Sequence, residues 1–260
     1  MDSTGLRIRL LGELEFRLGE RPLPPLGSAR AASLLAYLLI HRAAPQPRQR
    51  VAFLLWPDSS EPQARTNLRH VLYTLRRALP DADRLLDITP RTLRWRPDAP
   101  AWLDIEAFEA ALARDDLRAA TALYGGDLLA GAYDEWLHGE RERLRGLQVA
   151  ALDRLAGRLE AAGETAEAIA VAERLLRHDP LREDAHRRLM RLHAARGDRA
   201  RALRAYHACH RRPTCFKDGF DVLQHACGLF FNCLACNLTR GRVKRSLTRY
   251  KNKIAGTQTL

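Results

Sequence analysis

The alternation of apolar and polar residues from 59 to 79 predicts one amphipathic helix. Ser59 or Ser60 can cap its start, acid and proline are favoured in its first turn, and Pro80 ends it. Its apolar positions recur at helical spacing and therefore share one face. They are Ala64, Leu68, Val71, Leu72, Leu75 and Leu79.

The opposite face of this helix is nearly all cationic, with no acidic residue after Glu61. It carries Arg65, Thr66, Arg69, His70, Tyr73, Arg76 and Arg77. Because a guanidinium can donate two hydrogen bonds at once, arginine suits both phosphates and guanine edges. The helix alone therefore fits a polyanion partner, although a solvated basic face on an ordinary core helix explains it equally well.

The segments around this helix complete the pattern of a winged helix. Alternating residues predict strands over 6–11 and 13–18, and helices are predicted from Ser28 to about Ile40 and over 48–55. After the basic helix, two short strands over 85–95 form a hairpin. Strands, three helices and then a hairpin is the order of an OmpR-type winged helix, whose third helix can enter the major groove. This hairpin carries Arg91, Arg94 and Arg96, so that the helix and the hairpin are both cationic.

From residue 103 onward the pattern is helical only. Asp104 is predicted to cap a helix over 104–113, and Gly163 and Gly197 mark a repeat of 34 residues, which is the period of tetratricopeptide repeats. Such helix pairs stack on one another, and their expected partner is protein. Histidines in these helices, including His186 and His193, are predicted to lie on the surface. We predict a mostly α fold with a small β component, divided into a winged-helix domain at 1–98, a tetratricopeptide-like helical domain at 99–212 and a tail at 213–260.

Charge follows these predicted domains. The net charge of the chain is +12. Residues 1–98 hold 16 arginines against 10 acidic residues, whereas residues 99–212 hold 19 arginines against 19 acidic residues. The predicted winged helix thus carries +6, and the tail at 213–260, with 8 basic against 2 acidic residues, carries the other +6. The basic winged helix favours DNA as its partner, while the neutral helical half suits a protein.

The tail differs from the rest in composition. All four lysines lie after position 212, and all five cysteines lie at or after Cys209. This break suggests a different coding origin, such as a frameshift, read-through or fusion, and we predict that the tail is outside the folded protein. Cys233 and Cys236 could be zinc ligands with nearby cysteines and histidines, but the other spacings are irregular, so no metal site is predicted.

Residues 5 to about 209 resemble the Streptomyces antibiotic regulatory protein (SARP) family of transcriptional activators. The phrases that carry the resemblance include RIRLLGELEF, LLWPDSSEPQARTNLRHVLYTLRRAL, ALYGGDLLAG and ERLLRHDPLREDAHRRLMRLHAARGDRARALRAY. The resemblance implies an OmpR-like winged helix followed by a bacterial transcriptional activator domain. It also implies binding to tandem DNA repeats near the −35 region, contact with RNA polymerase, and activation of secondary-metabolite (antibiotic) gene clusters.

Carried onto this sequence, the resemblance assigns DNA contacts to Arg65, Thr66, Arg69, His70 and Tyr73 of the helix and to Arg91, Thr92 and Arg94 of the hairpin, and the cationic face adds Arg76. The sequence after Tyr206 departs from the family pattern.

The sequence has neither a phosphate-binding loop nor a catalytic constellation, so we predict no cofactor and no enzymatic activity. We expect a cytoplasmic protein without a membrane partner that could dimerise on DNA. The alternative is a repeat-type protein-interaction scaffold without a specific DNA target.

Overall fold

The computed structural model describes residues 5–210. The strands are β1 Leu6–Arg9, β2 Glu15–Leu18, β3 Arg21–Pro22, β4 Gln46–Pro47, β5 Leu86–Ile88, β6 Thr92–Trp95 and β7 Ala101–Leu103. The helices are α1 Ala29–Ile40, α2 Arg48–Leu55, α3 Glu61–Ala78, α4 Ala82–Leu85, α5 Asp104–Ala113, α6 Leu117–Leu123, α7 Leu137–Ala161, α8 Thr165–His178, α9 Glu183–Ala195 and α10 Arg199–His210. The predicted fold class, mostly α with a small β component, is confirmed.

Two small sheets flank the first three helices. The N-terminal sheet has the order β3-β2-β1-β7, in which β1 pairs antiparallel with β2 and parallel with β7. The second sheet has the order β4-β6-β5 and contains the hairpin. With α1, α2 and α3 between them, these sheets form the predicted OmpR-type winged helix.

The start of α1 shows how local sequence sets this arrangement. Ser28 is the N-cap of α1, and its Oγ accepts a hydrogen bond of 3.1 Å from the Ala31 N–H, as the sequence predicts. Ser60 occupies the N-cap position of α3, but its side chain makes no capping hydrogen bond. The first turn of α3 instead contains Glu61 and a proline, both favoured at a helix start.

By its contacts, the chain divides into two compact units, Met1–Leu155 and Ala156–Leu260. The core of the first unit extends past the hairpin into α5. Ile8, Leu75, Trp95 and Phe108 are all fully buried in it, although they come from β1, α3, β6 and α5. The predicted domain boundary after residue 98 stays a prediction. The buried core of the first unit includes residues on both sides of this position.

Asp104 has a different role from the one predicted. It is not the cap of α5, because that position belongs to Leu103. Its buried carboxylate accepts hydrogen bonds of 2.9 and 2.8 Å from the Leu10 and Leu11 N–H groups, and one of 2.8 Å from the Ile105 N–H. Burial raises the pKa of Asp104, while these three N–H donors act in the opposite direction. Asp104 therefore ties the end of β1 to the start of α5.

The described part of the second unit consists of the end of α7 and helices α8–α10. Gly163 and Gly197 mark the turns between helices and have φ values of 77° and 75°, which glycine adopts without strain. Their repeat spacing therefore matches a helical repeat, as predicted. The prediction for two histidines is wrong: His186 and His193 are buried, because both lie on the inward face of α9.

The tail predictions, including the zinc alternative at Cys233 and Cys236, lie outside the described residues. No group of potential metal ligands occurs among residues 5–210. Within the same range, no helix combines the length and the apolar character needed to cross a membrane.

Candidate nucleic-acid interface

The two faces of α3 are as different in the structure as in the sequence. Ala64, Leu68, Val71, Leu72 and Leu75 are buried in the core. All six predicted DNA-contact residues of this helix are exposed: Arg65, Thr66, Arg69, His70, Tyr73 and Arg76. The apolar periodicity thus fixes which face α3 turns to the core, and this leaves the cationic face to solvent.

The arginines of this face differ in whether an acid neutralises them. Arg65 forms an ion pair with Glu61, and Arg76 forms one with Asp83. Arg69 instead donates a hydrogen bond of 3.2 Å to the Thr66 hydroxyl. Among residues 5–210, no carboxylate pairs with Arg69, so its charge remains available to an anion.

Tyr73 adds an aromatic surface to this cationic face. Its side chain is 60% exposed, so its ring is accessible at the surface. The Arg77 guanidinium lies over its ring at 5.7 Å from the centroid and donates a 3.4 Å hydrogen bond to its hydroxyl. The pair therefore holds a planar cation against an aromatic ring at the surface.

The turn of the hairpin is built from its own side chains. The Thr89 and Thr92 hydroxyls are hydrogen bonded at 2.9 Å, and the Thr89 hydroxyl also accepts from the Arg91 and Thr92 N–H groups at 3.2 and 2.9 Å. Thr92, a predicted DNA contact, is thus part of the turn itself. Arg91 at the tip is exposed, which suits the predicted contact.

Arg94, the other predicted contact in the hairpin, is half-buried and already has acceptors. Its guanidinium donates hydrogen bonds of 3.0 and 2.9 Å to the backbone carbonyls of Arg42 and Ala43. These bonds fasten strand β6 to the segment after α1. Arg94 stays a predicted DNA contact. Its two hydrogen bonds to backbone carbonyls also give it a role in stabilising the hairpin.

Arg48, at the start of α2, belongs to the same surface and was not predicted. Its guanidinium donates a 3.1 Å hydrogen bond to the Thr89 carbonyl, and its backbone N–H donates a 2.9 Å bond to the Arg91 carbonyl. Burial, and then the positive charge of Arg69, lower the pKa of Arg48. Arg48 therefore links the hairpin turn to the start of α2. The basic sequence Arg48-Gln49-Arg50 was the available signal, but its pattern alone predicts no more than a short helix.

Comparison with known proteins gives a family match and similar solved structures. Residues 102–213 match the family described as Bacterial transcriptional activator domain. The fold is similar to that of Mycobacterium tuberculosis EmbR in complex with low affinity phosphopeptide, with a TM-score of 0.61 and 21% sequence identity, over 86% of this chain and 69% of that one. No protein with a curated description matches the sequence significantly.

The matched residues 102–213 follow a winged helix whose third helix has a cationic face. The domain match and the fold together support the resemblance drawn from the sequence, namely a SARP-type transcriptional activator.

Proposed function

We propose that this protein is a sequence-specific DNA-binding activator that recruits RNA polymerase to secondary-metabolite genes. The observation that carries the proposal is the exposed cationic face of α3, together with an exposed arginine at the tip of the hairpin. An exposed guanidinium without a neutralising acid attracts phosphate, and an amphipathic helix of 18 residues can lie in a major groove.

The contacts divide into two groups in this proposal. Arg65, Thr66, Arg69, His70, Tyr73 and Arg76 meet the DNA from α3, and Arg91, Thr92 and Arg94 meet it from the hairpin. Contacts to base edges give specificity, whereas contacts to phosphates fix the register of the helix on the duplex. The family resemblance suggests tandem repeats near the −35 region as the target, with two copies of the protein bound as a dimer.

The helical half is the proposed surface for RNA polymerase. Its charges balance, so it has little excess charge with which to hold DNA. Two large apolar side chains of this half are exposed: Leu181, in the turn between α8 and α9, at 60%, and Leu203, on α10, at 42%. Exposed apolar residues on stacked helices suit a protein partner. We expect the protein in the cytoplasm, where its proposed DNA target lies.

A mobility-shift series on DNA upstream of neighbouring genes tests the proposal. We expect one upstream fragment to stay bound in the presence of excess competitor DNA, and a footprint to show two protected repeats. Coding DNA of equal length is the matched control. Equal binding to both fragments would contradict sequence-specific recognition. The scaffold alternative predicts no shift with either fragment.

The activation step is tested separately, by transcription in vitro with purified RNA polymerase from the bound promoter. We expect transcript yield to rise when the full chain is added. A protein that binds this promoter but leaves the yield unchanged would contradict recruitment while leaving DNA binding intact. The two experiments therefore test DNA binding and the recruitment of RNA polymerase separately.

A further inference from the structure

Tyr73 and Arg77 form one structural unit on the candidate interface. They lie about one turn apart on α3, and both side chains are exposed. The Arg77 guanidinium lies over the Tyr73 ring at 5.7 Å from the centroid, which is within the range of a cation–π contact, and it donates a 3.4 Å hydrogen bond to the Tyr73 hydroxyl. Tyr73 therefore restricts where the Arg77 guanidinium lies.

The pair lies near the centre of the exposed face of α3. At 3.6 residues per turn, Tyr73 and Arg77 are on the side of the helix opposite its buried residues, as is Thr66. Arg65 and Arg76 lie closer to the buried side. A duplex bound to this face therefore meets the pair directly.

Arg77 keeps its charge and most of its donors. Among residues 5–210, no carboxylate pairs with it, in contrast to Arg76, which pairs with Asp83. A guanidinium has five N–H donors, and the hydrogen bond to Tyr73 uses one of them. The remaining donors and the positive charge favour an anionic acceptor such as a phosphate oxygen.

The place of Arg77 along α3 favours a phosphate over a base. Arg77 lies in the last turn of this helix, which has 18 residues and is therefore about 27 Å long. In helix-turn-helix recognition, the N-terminal residues of the helix contact the base edges. Because the major groove curves around the duplex, a straight helix of this length cannot keep both ends at base edges. We therefore expect its last turn beside the backbone.

We propose that Tyr73 acts through Arg77, in that its ring holds the Arg77 guanidinium against a phosphate of the DNA backbone. This inference rests on the proposed function, which supplies DNA as the source of the phosphate. It adds Arg77 to the interface. It also makes Tyr73 a positioning residue rather than a reader of base edges.

The salt dependence of DNA binding tests the contact from Arg77, because it counts neutralised phosphates. The logarithm of the binding constant falls with the logarithm of salt concentration by about 0.9 per phosphate. Arg77→Gln should flatten this slope by about 0.9 and weaken binding to specific and unrelated DNA by the same factor. An unchanged slope, or a loss confined to the specific site, would overturn the inference.

A double-mutant cycle tests the role of Tyr73. Tyr73→Leu removes the ring, whereas Tyr73→Phe retains it. We expect Tyr73→Leu to weaken binding to specific and unrelated DNA equally, Tyr73→Phe to stay close to the wild type, and Tyr73→Leu to have no further effect in the Arg77→Gln background. If Tyr73→Leu reduces affinity equally in both backgrounds, Tyr73 contacts DNA independently and the inference is wrong. It is also wrong if Tyr73→Phe loses as much affinity as Tyr73→Leu.

Arg143→Gln is the matched control, because it removes the same charge from an arginine that is paired with Glu109 and Glu140. We expect its salt slope to equal that of the wild type, and thermal unfolding checks that every variant remains folded. A wild-type protein that binds no DNA would overturn the proposed function. A wild-type protein that binds DNA with the same salt slope as Arg77→Gln would overturn this inference alone.

Discussion

Two helices of this protein are rich in arginine but use it differently. On α3, Arg69 and Arg77 pair with no carboxylate among the described residues. On α7, Arg143 pairs with Glu109 and Glu140, and Arg145 pairs with Asp127 and Glu142. The α7 arginines Arg143 and Arg145 are neutralised by acids, whereas Arg69 and Arg77 of α3 are not, although Arg65 and Arg76 of α3 do pair with Glu61 and Asp83. We therefore base the proposed DNA-binding surface on arginines without an acidic partner rather than on the number of arginines.

The largest effect that we expect from a substitution is a loss of stability on α7. The Arg141 guanidinium donates hydrogen bonds of 2.8, 2.5 and 2.7 Å to the carbonyls of Leu128, Leu129 and Ala132. Arg141→Ala leaves three carbonyls without their donor, so we expect the free energy of unfolding to fall by about 3 kcal/mol. Denaturant unfolding measures this fall. Arg77→Ala on α3 is the control, and a loss of similar size there would contradict the division of roles.

Arg94 and Arg91 test the same distinction within the hairpin. Arg94→Ala removes two hydrogen bonds to backbone carbonyls, and we expect it to lower the free energy of unfolding by about 1–2 kcal/mol. Arg91→Ala should change stability by less than about 0.5 kcal/mol but flatten the salt slope of DNA binding by about one unit. Unfolding curves and binding isotherms of both variants separate these outcomes. If Arg94→Ala left stability unchanged, the structural role of Arg94 would be wrong.

Gln148 should show a smaller effect, of opposite sign. It lies fully buried in α7, and within residues 5–210 neither its amide nitrogen nor its amide oxygen has a hydrogen-bond partner. Because an unpaired buried amide is costly, we expect Gln148→Met to raise the free energy of unfolding by about 1 kcal/mol. DNA affinity should stay the same. A destabilised Gln148→Met protein would show that the amide has a partner in solution.

The smallest effect concerns pH. The hydrogen bond from Arg145 is the main cause that lowers the pKa of Asp127. An aspartate with a lowered pKa stabilises the folded state above its unfolded pKa of about 4, and this contribution is lost as the pH falls through the folded value. Arg145→Ala should therefore make the decline in stability below about pH 4 shallower. Urea unfolding at several pH values measures this decline. If stability declined equally in the wild type and the variant, the stabilising role of the Arg145–Asp127 pair would be contradicted.

The sequence predicts the parts of this protein that depend on local pattern. The period of α3 determines its buried face, and through it the exposure of all six candidate residues on that helix. The hairpin strands and Ser28 are likewise predicted from nearby residues, because turn and cap chemistry is local.

What the sequence could not predict depends on contacts between distant residues. Asp104 accepts hydrogen bonds from Leu10 and Leu11, and Arg94 donates to carbonyls about 50 positions earlier. No periodicity encodes such pairs. Arg48 was missed for the same reason, since its link to the hairpin turn exists only once β4 and β6 are paired. His186 was misassigned because a polar residue on a helix was taken to face solvent.

Arginine-specific chemical modification, with and without bound DNA, tests the central claim most directly. Arg69, Arg77 and Arg91 should be modified in the free protein and protected when DNA is bound. Arg143, Arg145 and Arg154 should react to the same extent in both states, because their partners are acids of the protein itself. Protection of the α7 arginines with no change at Arg69, Arg77 and Arg91 would contradict the assignment of α3 and the hairpin as the DNA-binding surface.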